Sequence, residues 1–325
     1  MNIPPADALR VPVEQLKTLC TTLYRKAGVA DAELITDLLI DTDLRGVLSH
    51  GTRATPGYIR AFLDGALNKT PSVVTVREDL TTAVVDGDGG LGHPATGRAT
   101  KLAIAKARQT GLGAAASRNH GHFGSAGKYT RMAMQQDCIG FCVSGHLIGD
   151  TPLQKDPQWN PLGNPPMSFG IPAGTETPLN VDMGTSFFEQ AEYLSYFKQM
   201  PSPFFKSLGL VGTALMMGGA LCGMMEPAFS QTQRTYRGAS YGAFIFVVDI
   251  SRFVSVDTFK NEMDRSMRCM HGLPPMKGTE RYDFPGGPEH DREKAWAEEG
   301  IPLSDDHRKG LEDIANELRV QVPWR

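Results

Sequence analysis

The sequence predicts a mixed α/β (α+β) protein, with a sheet domain set between helical segments contributed by both ends of the chain. Three observations carry this. Apolar residues recur at helical spacing near both termini. Valine- and threonine-rich runs bounded by turn residues fill the middle of the chain. Between two of those runs lies a segment of helical period, and strands alternating with helices are the signature of a sheet with helices packed on it. The 325 residues suffice for one large domain or two of ordinary size. With 41% hydrophobic and 21% charged residues, a packed core is the expectation, not disorder.

The elements follow in order. Pro12 suits a first helical position, and Leu16, Leu19 and Leu23 continue at helical spacing until Gly28. Asp31 is placed to cap a second helix striped by Leu34, Ile35, Leu38 and Leu39. After the Pro56-Gly57 break, Tyr58 to Leu67 is amphipathic. Strands are expected at SVVTV, TTAVVDG, GLGAAAS, IGFCVSG and YGAFIFVVDI, with a helix between Thr96 and Gln109. Near the end, Leu303 and Ser304 resemble a capped helix start ahead of Leu311, Ile314 and Leu318.

Composition narrows the function classes. A net charge of −3 supplies no positive field for a phosphate backbone, which argues against nucleic-acid binding. The five cysteines are odd in number and scattered, so a reducing cytoplasm is expected instead of a disulfide framework. The MNIPPADALRVP start has neither a basic n-region nor an apolar h-region, so no secretory signal is expected. Ser207 to Met225 is uncharged and close to the roughly 20 residues of a membrane span. Its glycines favour a closely packed buried helix, bounded by Lys206 and by Glu226-Pro227, over a span.

Five motifs could carry chemistry. Gly87-Asp-Gly89-Gly-Leu-Gly92 matches G-x-G-x-x-G between a strand and a helix, but no carboxylate stands about 20 residues on, so it reads as a glycine turn. Ser49-His50 sits between Gly46 and Gly51; an imidazole beside a hydroxyl suits proton transfer to a substrate oxygen. Arg118-Asn119-His120-Gly121-His122-Phe123-Gly124 follows a small-residue strand, where sites collect. Its two histidines read as neutral hydrogen-bonding imidazoles; a metal would need a third ligand, and none has recognisable spacing, though His146 is available. Asp182-Met183-Gly184-Thr185-Ser186 ends a short strand with groups able to bind ribose hydroxyls and phosphate, or simply to turn the chain. Lys206 could neutralise a cofactor phosphate, or simply flank a helix.

The order of these motifs is more telling than any one of them. DLRGVLSHGTRATPGY, VVDGDGGLGHPATGRATKLAIAKARQTGLG, RNHGHFGSAGKY, IPAGTETPLNVDMGTS, and FPGGPE before GIPLSDD together resemble the malate/L-lactate dehydrogenase-like oxidoreductases. This family includes ureidoglycolate dehydrogenase, 2,3-diketogulonate reductase, Δ1-piperideine-2-carboxylate reductase and sulfolactate dehydrogenase, and is unrelated in fold to the Rossmann lactate and malate dehydrogenases. The resemblance spans nearly the whole chain. It implies a non-Rossmann mixed-sheet NAD(P)-binding domain over residues 75–287 and a helical domain formed by residues 1–74 and 288–325. It further implies a homodimer that binds NAD or NADP and a small 2-hydroxy or 2-keto acid; composition and residue patterns add the expectation of a cytoplasmic protein with no nucleic acid, membrane or metal partner.

Position by position, the resemblance implies that His50 is the proton donor with Ser49 as its relay partner. His122, Phe123, Gly124 and Ser125 match the family's HFG segment against cofactor and substrate. Asp182, Met183, Gly184, Lys206, Gly286 and Gly287 match its cofactor contacts. The chain also departs from the pattern. The arginine expected four residues after the histidine to hold the substrate carboxylate is Ala54, leaving Arg53 one position earlier. The GTNP loop reads Gly163-Asn164-Pro165-Pro166, which makes Asn164 the substrate-side candidate. The segment from Ser186 to Lys206 is short, and Glu192, with Glu189 nearby, falls where some members carry an acidic relay residue. The usual glycine after the lysine is Ser207. Since the changes cluster around the substrate, a catalytically impaired or regulatory relative is the alternative expectation.

Overall fold

The computed structural model describes residues 4–5, 7–148, 160–188, 193–275, 277–278 and 282–324. The chain opens with β1 (Leu9–Val11), α1 (Val13–Lys26), α2 (Ala32–Leu44), two 3₁₀ turns (Leu48–His50 and Thr52–Ala54) and α3 (Thr55–Leu63). The middle holds β2 (Val74–Glu78), β3 (Thr82–Asp86), α4 (Gly92–Thr110), β4 (Leu112–His120), α5 (Gly127–Met134), β5 (Cys138–Gly145), β6 (Pro166–Ile171) and β7 (Leu179–Gly184). Then come α6 (Tyr193–Phe197), α7 (Pro201–Gly218), α8 (Pro227–Thr235), β8 (Tyr241–Asp249), α9 (Val256–His271), α10 (Gly287–Glu299), β9 (Ile301–Leu303) and α11 (Asp305–Glu317).

The terminal segments find each other through β1 and β9, which pair antiparallel with Leu9 opposite Leu303. Around this ribbon one buried cluster draws on Leu16, Leu19, Leu23, Ile35, Leu39, Ile59 and Phe62 from the start of the chain. Trp296, Leu311 and Ile314 join it from the end. Each fully buried large aliphatic side chain of this kind contributes about 1.5–3 kcal/mol. Ser304 caps α11 as its sequence suggests, accepting from the His307 N–H. The details differ elsewhere. Pro12 is the N-cap of α1, one position before the first helical residue. Asp31 sits at the N-cap of α2 without a side-chain cap bond. Pro56 lies inside the first turn of α3, where its missing N–H costs nothing, so the helix starts before the expected break.

The second layer is a seven-stranded mixed sheet in the order β2-β3-β4-β8-β5-β6-β7. Only β3 and β4 run parallel; every other neighbouring pair is antiparallel. This is not the doubly wound parallel arrangement of a Rossmann domain. Ala95, Ala99, Ala103 and Ala107 form a stripe at i+4 spacing on α4 and lie buried with Ala115, Ile245 and Val247 of the sheet. The helix comes so close that a Cβ on Gly113 would overlap the Ala103 carbonyl.

On the expected apolar helix, α7 begins at Pro201, so Lys206 lies inside it and is not a flanking residue. Phe204, Ser207, Val211, Ala214, Leu215 and Gly218 are buried, while Phe205 and Met216 are exposed. Gly218 and Gly219 pack against the backbone of Ser144, Gly145 and His146, whereas a Cβ on Gly209 or Gly212 would meet open space, so close packing explains only the end of the run and the helix is partly, not wholly, buried. Among the described residues, the run Pro201–Cys222 is long and apolar enough to cross a membrane, with mean hydropathy 1.4.

Candidate active site

The ends of β4, β5 and β7 and the starts of β6 and β8 meet at one end of the sheet, against the 3₁₀ turn that carries His50. They enclose a cavity of about 370 Å³, within the size range of small-molecule sites. His50, His122, Phe123, Ser125, Asn164, Asp182, Met183 and Gly184 all line it, so three stretches far apart in sequence share one pocket. His146, which the sequence reading weighed only as a third metal ligand, and Ser144 and Tyr241, which it did not single out, complete the wall.

His50 follows α2 on a turn that is fixed from below. Asp43, at the end of α2, is buried and accepts from the Thr52 N–H at 3.0 Å and from Thr52 Oγ1 at 2.5 Å. His307 Nε2 lies 3.0 Å from the same hydroxyl. With the hydroxyl proton given to Asp43, the imidazole must donate, and the chain runs from His307 through Thr52 to Asp43. Gly51 is held against this carboxylate so closely that any side chain would overlap it. On the turn itself, Ser49 Oγ lies 2.9 Å from His50 Nδ1, leaving Nε2 for a reacting group. Burial pushes the His50 pKa down, and the Lys128 ammonium adds to this while the Asp182 carboxylate opposes it.

His122 stands 5.4 Å from His50 between ring centroids. Its Nδ1 receives the Gly124 N–H at 3.3 Å and the Tyr58 hydroxyl at 2.6 Å. A backbone N–H can only donate, so Nδ1 is the acceptor and the ring proton sits on Nε2. Burial, then the charges of His50 and Lys128, push the His122 pKa down to about 3, so this ring remains a neutral donor. His120 points elsewhere. It is buried between Ser117 Oγ and the Gly121 carbonyl, and no cluster of metal-ligating side chains occurs among the described residues.

The G-x-G-x-x-G segment acts as a brace. Gly87 N–H donates to the Arg118 carbonyl, Gly89 N–H to that of Asn119 and Gly92 N–H to that of His122. These amides position the histidine loop and are not free to cradle a phosphate. Across the cavity, Asn164 Oδ1 accepts the Ser186 N–H at 2.8 Å, and Thr185 donates to the Pro165 carbonyl. Ser207, where the resemblance puts glycine, donates to the Thr185 carbonyl at 2.6 Å and accepts the Phe187 N–H, tying α7 to the end of β7.

Other expected contacts stand apart from the cavity. Arg53 is exposed on the outer turn, where its charge acts on His307. Lys206 is exposed on α7. Gly286, with φ +100°, packs against Asn180 at the start of β7, and its carbonyl accepts from the buried Arg45. Gly287 is buried beside Asp283. Glu192 and Glu189 lie outside the described residues. Among the described residues, neither lysine nor arginine lines the cavity.

The donor set fits the nicotinamide end of a dinucleotide. Phe123, Met183, Pro165 and Tyr241 offer apolar surface to a planar ring, while Ser125, Ser144, Asn164 and Asp182 offer polar groups to a carboxamide and ribose. Asp182 is half-buried at the cavity wall, and desolvation pushes its pKa up while Arg131 and the Gly127 N–H hold it back.

Residues 11–202 and 199–312 match the family model of malate/L-lactate dehydrogenase. The L-sulfolactate dehydrogenase of Methanocaldococcus jannaschii is 28% identical, over 95% of this chain and 97% of that protein. The L-lactate dehydrogenase of Cupriavidus necator is 26% identical, over 91% and 93%. The solved structure of the malate dehydrogenase from Pyrococcus horikoshii superimposes with a TM-score of 0.82 at 25% identity, covering 99% of both chains.

Proposed function

The chain belongs to the malate/L-lactate dehydrogenase family of NAD(P)-dependent oxidoreductases, and from that premise we propose that it interconverts a small 2-hydroxy acid and its 2-keto acid, with His50 as proton donor and acceptor. The observation that carries this is the meeting of His50, His122 and Asp182 around one cavity. A nicotinamide cofactor bound there would supply or accept the hydride. Phe123, Met183 and Asp182 would hold it, and the chain does the rest.

Ser49 fixes the His50 ring through Nδ1 and leaves Nε2 to deliver a proton to the substrate oxygen or to take it back. The lowered pKa of His50 gives it a base form near neutral pH, suited to oxidation of the alcohol. His122 donates from Nε2 and stabilises the oxygen where negative charge develops, a preorganised contribution that water would have to reorganise to match. Exposed apolar residues on α7 and the turn that follows it, Phe205, Met216, Leu221 and Met225, support a homodimer as the working assembly.

The test is an absorbance assay with malate, lactate, sulfolactate and ureidoglycolate in the presence of NAD or NADP. Reduction of either cofactor by at least one acid is expected. Silence across the panel in both directions would reject the proposal and favour the impaired relative, a reading motivated by Ala54 in place of the expected arginine.

A further inference from the structure

Behind the histidine wall lies a charge that the function above leaves unused. Lys128, on the first turn of α5, is 2% exposed and its Nζ has no hydrogen-bond partner. The ammonium occupies the place a Cβ on Gly124 would take, with His93 Nε2 only 2.8 Å from that same point. Both ring nitrogens of His93 are likewise buried and unpartnered. Gly124 separates the cavity-lining Phe123 and Ser125 and donates its N–H to His122. The cation thus lies one backbone segment behind the cavity surface.

The titratable and charged groups that face it are Asp41 and Asp43 on α2, His50 on the 3₁₀ turn, His93 on α4, His122 on the loop, Arg131 on α5 and Asp182 on β7. Each carboxylate already has another partner: Asp41 holds Arg131, Asp43 Oδ2 accepts from Thr52 while its Oδ1 is buried without a partner, and Asp182 accepts the Gly127 N–H. The ammonium is left with the cost of burial and no direct partner, and desolvation pushes its pKa down to about 7. An uncompensated buried charge of this kind is costly in the free protein and is offset when a counter-charge arrives. In a low-dielectric wall its field reaches the cavity with little screening.

We propose that Lys128 is the specificity-determining charge of this pocket: seated behind Gly124, its ammonium attracts the anionic group of the substrate, where the cavity itself presents no lysine or arginine among the described residues. This rests on the acid-substrate reading above and names the residue that selects for the acid. It assigns Lys128 a role through space, one step removed from the reacting atoms. Gly124, whose φ of +82° already favours glycine, also leaves room for the ammonium, which a Cβ there would displace.

Two planar probes of equal shape separate charge from fit: oxalate, an inert dianion, and oxamide, its neutral diamide. Calorimetric binding to the parent protein, Lys128→Met and Lys128→Arg, with a nicotinamide dinucleotide present, is the experiment. Expected is a loss of about ten- to a hundredfold in oxalate affinity for Lys128→Met, unchanged oxamide binding, and recovery of most of the loss in Lys128→Arg. Without probe, Lys128→Met should unfold at a temperature no lower than the parent. Equal oxalate affinity in parent and Lys128→Met, parallel loss of both probes with lowered stability, or a parent that does not bind oxalate would each overturn the proposal. Turnover of hydroxy acids is read separately. A parent that turns over while Lys128→Met keeps its KM defeats the Lys128 role alone. Lys128-dependent oxalate binding without turnover defeats the dehydrogenase reading alone.

Discussion

Asp43 and Lys128 are both buried charges at the seam between the terminal helices and the sheet, and they are treated in opposite ways. Burial moves each toward neutrality, pushing Asp43 up to about 7 and Lys128 down to about 7. Asp43 is met by two donors of Thr52, and behind them by His307. Lys128 is met by nothing within hydrogen-bond reach. The difference separates a group that shapes the site from a group that waits for a ligand. Asp43 ties down the turn that presents His50, whereas Lys128 keeps its charge uncommitted.

Removing each group should expose that contrast. The largest effect is expected from Asp43→Ala, which strands the Thr52 amide in the interior and leaves the Thr52 hydroxyl only His307 as partner. A stability loss of about 2–5 kcal/mol is expected in urea unfolding, and a change within experimental scatter would refute the bracing role. Lys128→Met should behave oppositely and in a pH-dependent way. The folded pKa of Lys128, about 7, lies below its ordinary 10.5. Below 7 both folded and unfolded chains carry the proton and the burial cost is complete. Between 7 and 10.5 only the unfolded chain keeps it, so the parent gains stability as pH rises. The advantage of Lys128→Met should therefore be greatest below pH 7 and close as pH approaches 10.5; a gap independent of pH would contradict the buried-charge account. The smallest effect belongs to Tyr58→Phe. Gly124 still holds His122 Nδ1, so losing one hydroxyl should lower kcat/KM by about tenfold or less. A loss comparable to removal of a catalytic histidine would mean that Tyr58 does more than orient the ring.

Much of this arrangement was legible in the residues, and the parts that were not share a cause. The α4 helix, the strands around it and the Ser304 cap follow from periodicity and capping chemistry, which act locally. The mixed sheet and the joining of both termini came from the ordered motifs, and the family they resemble is the one the chain matches over residues 11–312. His50, His122 and Asp182 were singled out from Ser49-His50, the HFG segment and the strand-ending aspartate. Their convergence depends on the sheet order, which no local pattern encodes. Tyr58 escaped notice because its role is set by a contact across 64 positions. Lys128 escaped because a lysine in GSAGKY reads as solvated, and only the packing of α5 turns it inward. Arg53 is the opposite case: its nearness in sequence to the missing arginine suggested a clamp, and the 3₁₀ turn carries it outward, away from the cavity lining.

The most direct measurement is a paired one on His50→Ala: nicotinamide dinucleotide binding by fluorescence, and turnover of whichever hydroxy acid the parent oxidises. Turnover should fall by about two to four orders of magnitude while dinucleotide affinity stays close to that of the parent. Turnover that survives the change undiminished would contradict the account at its centre.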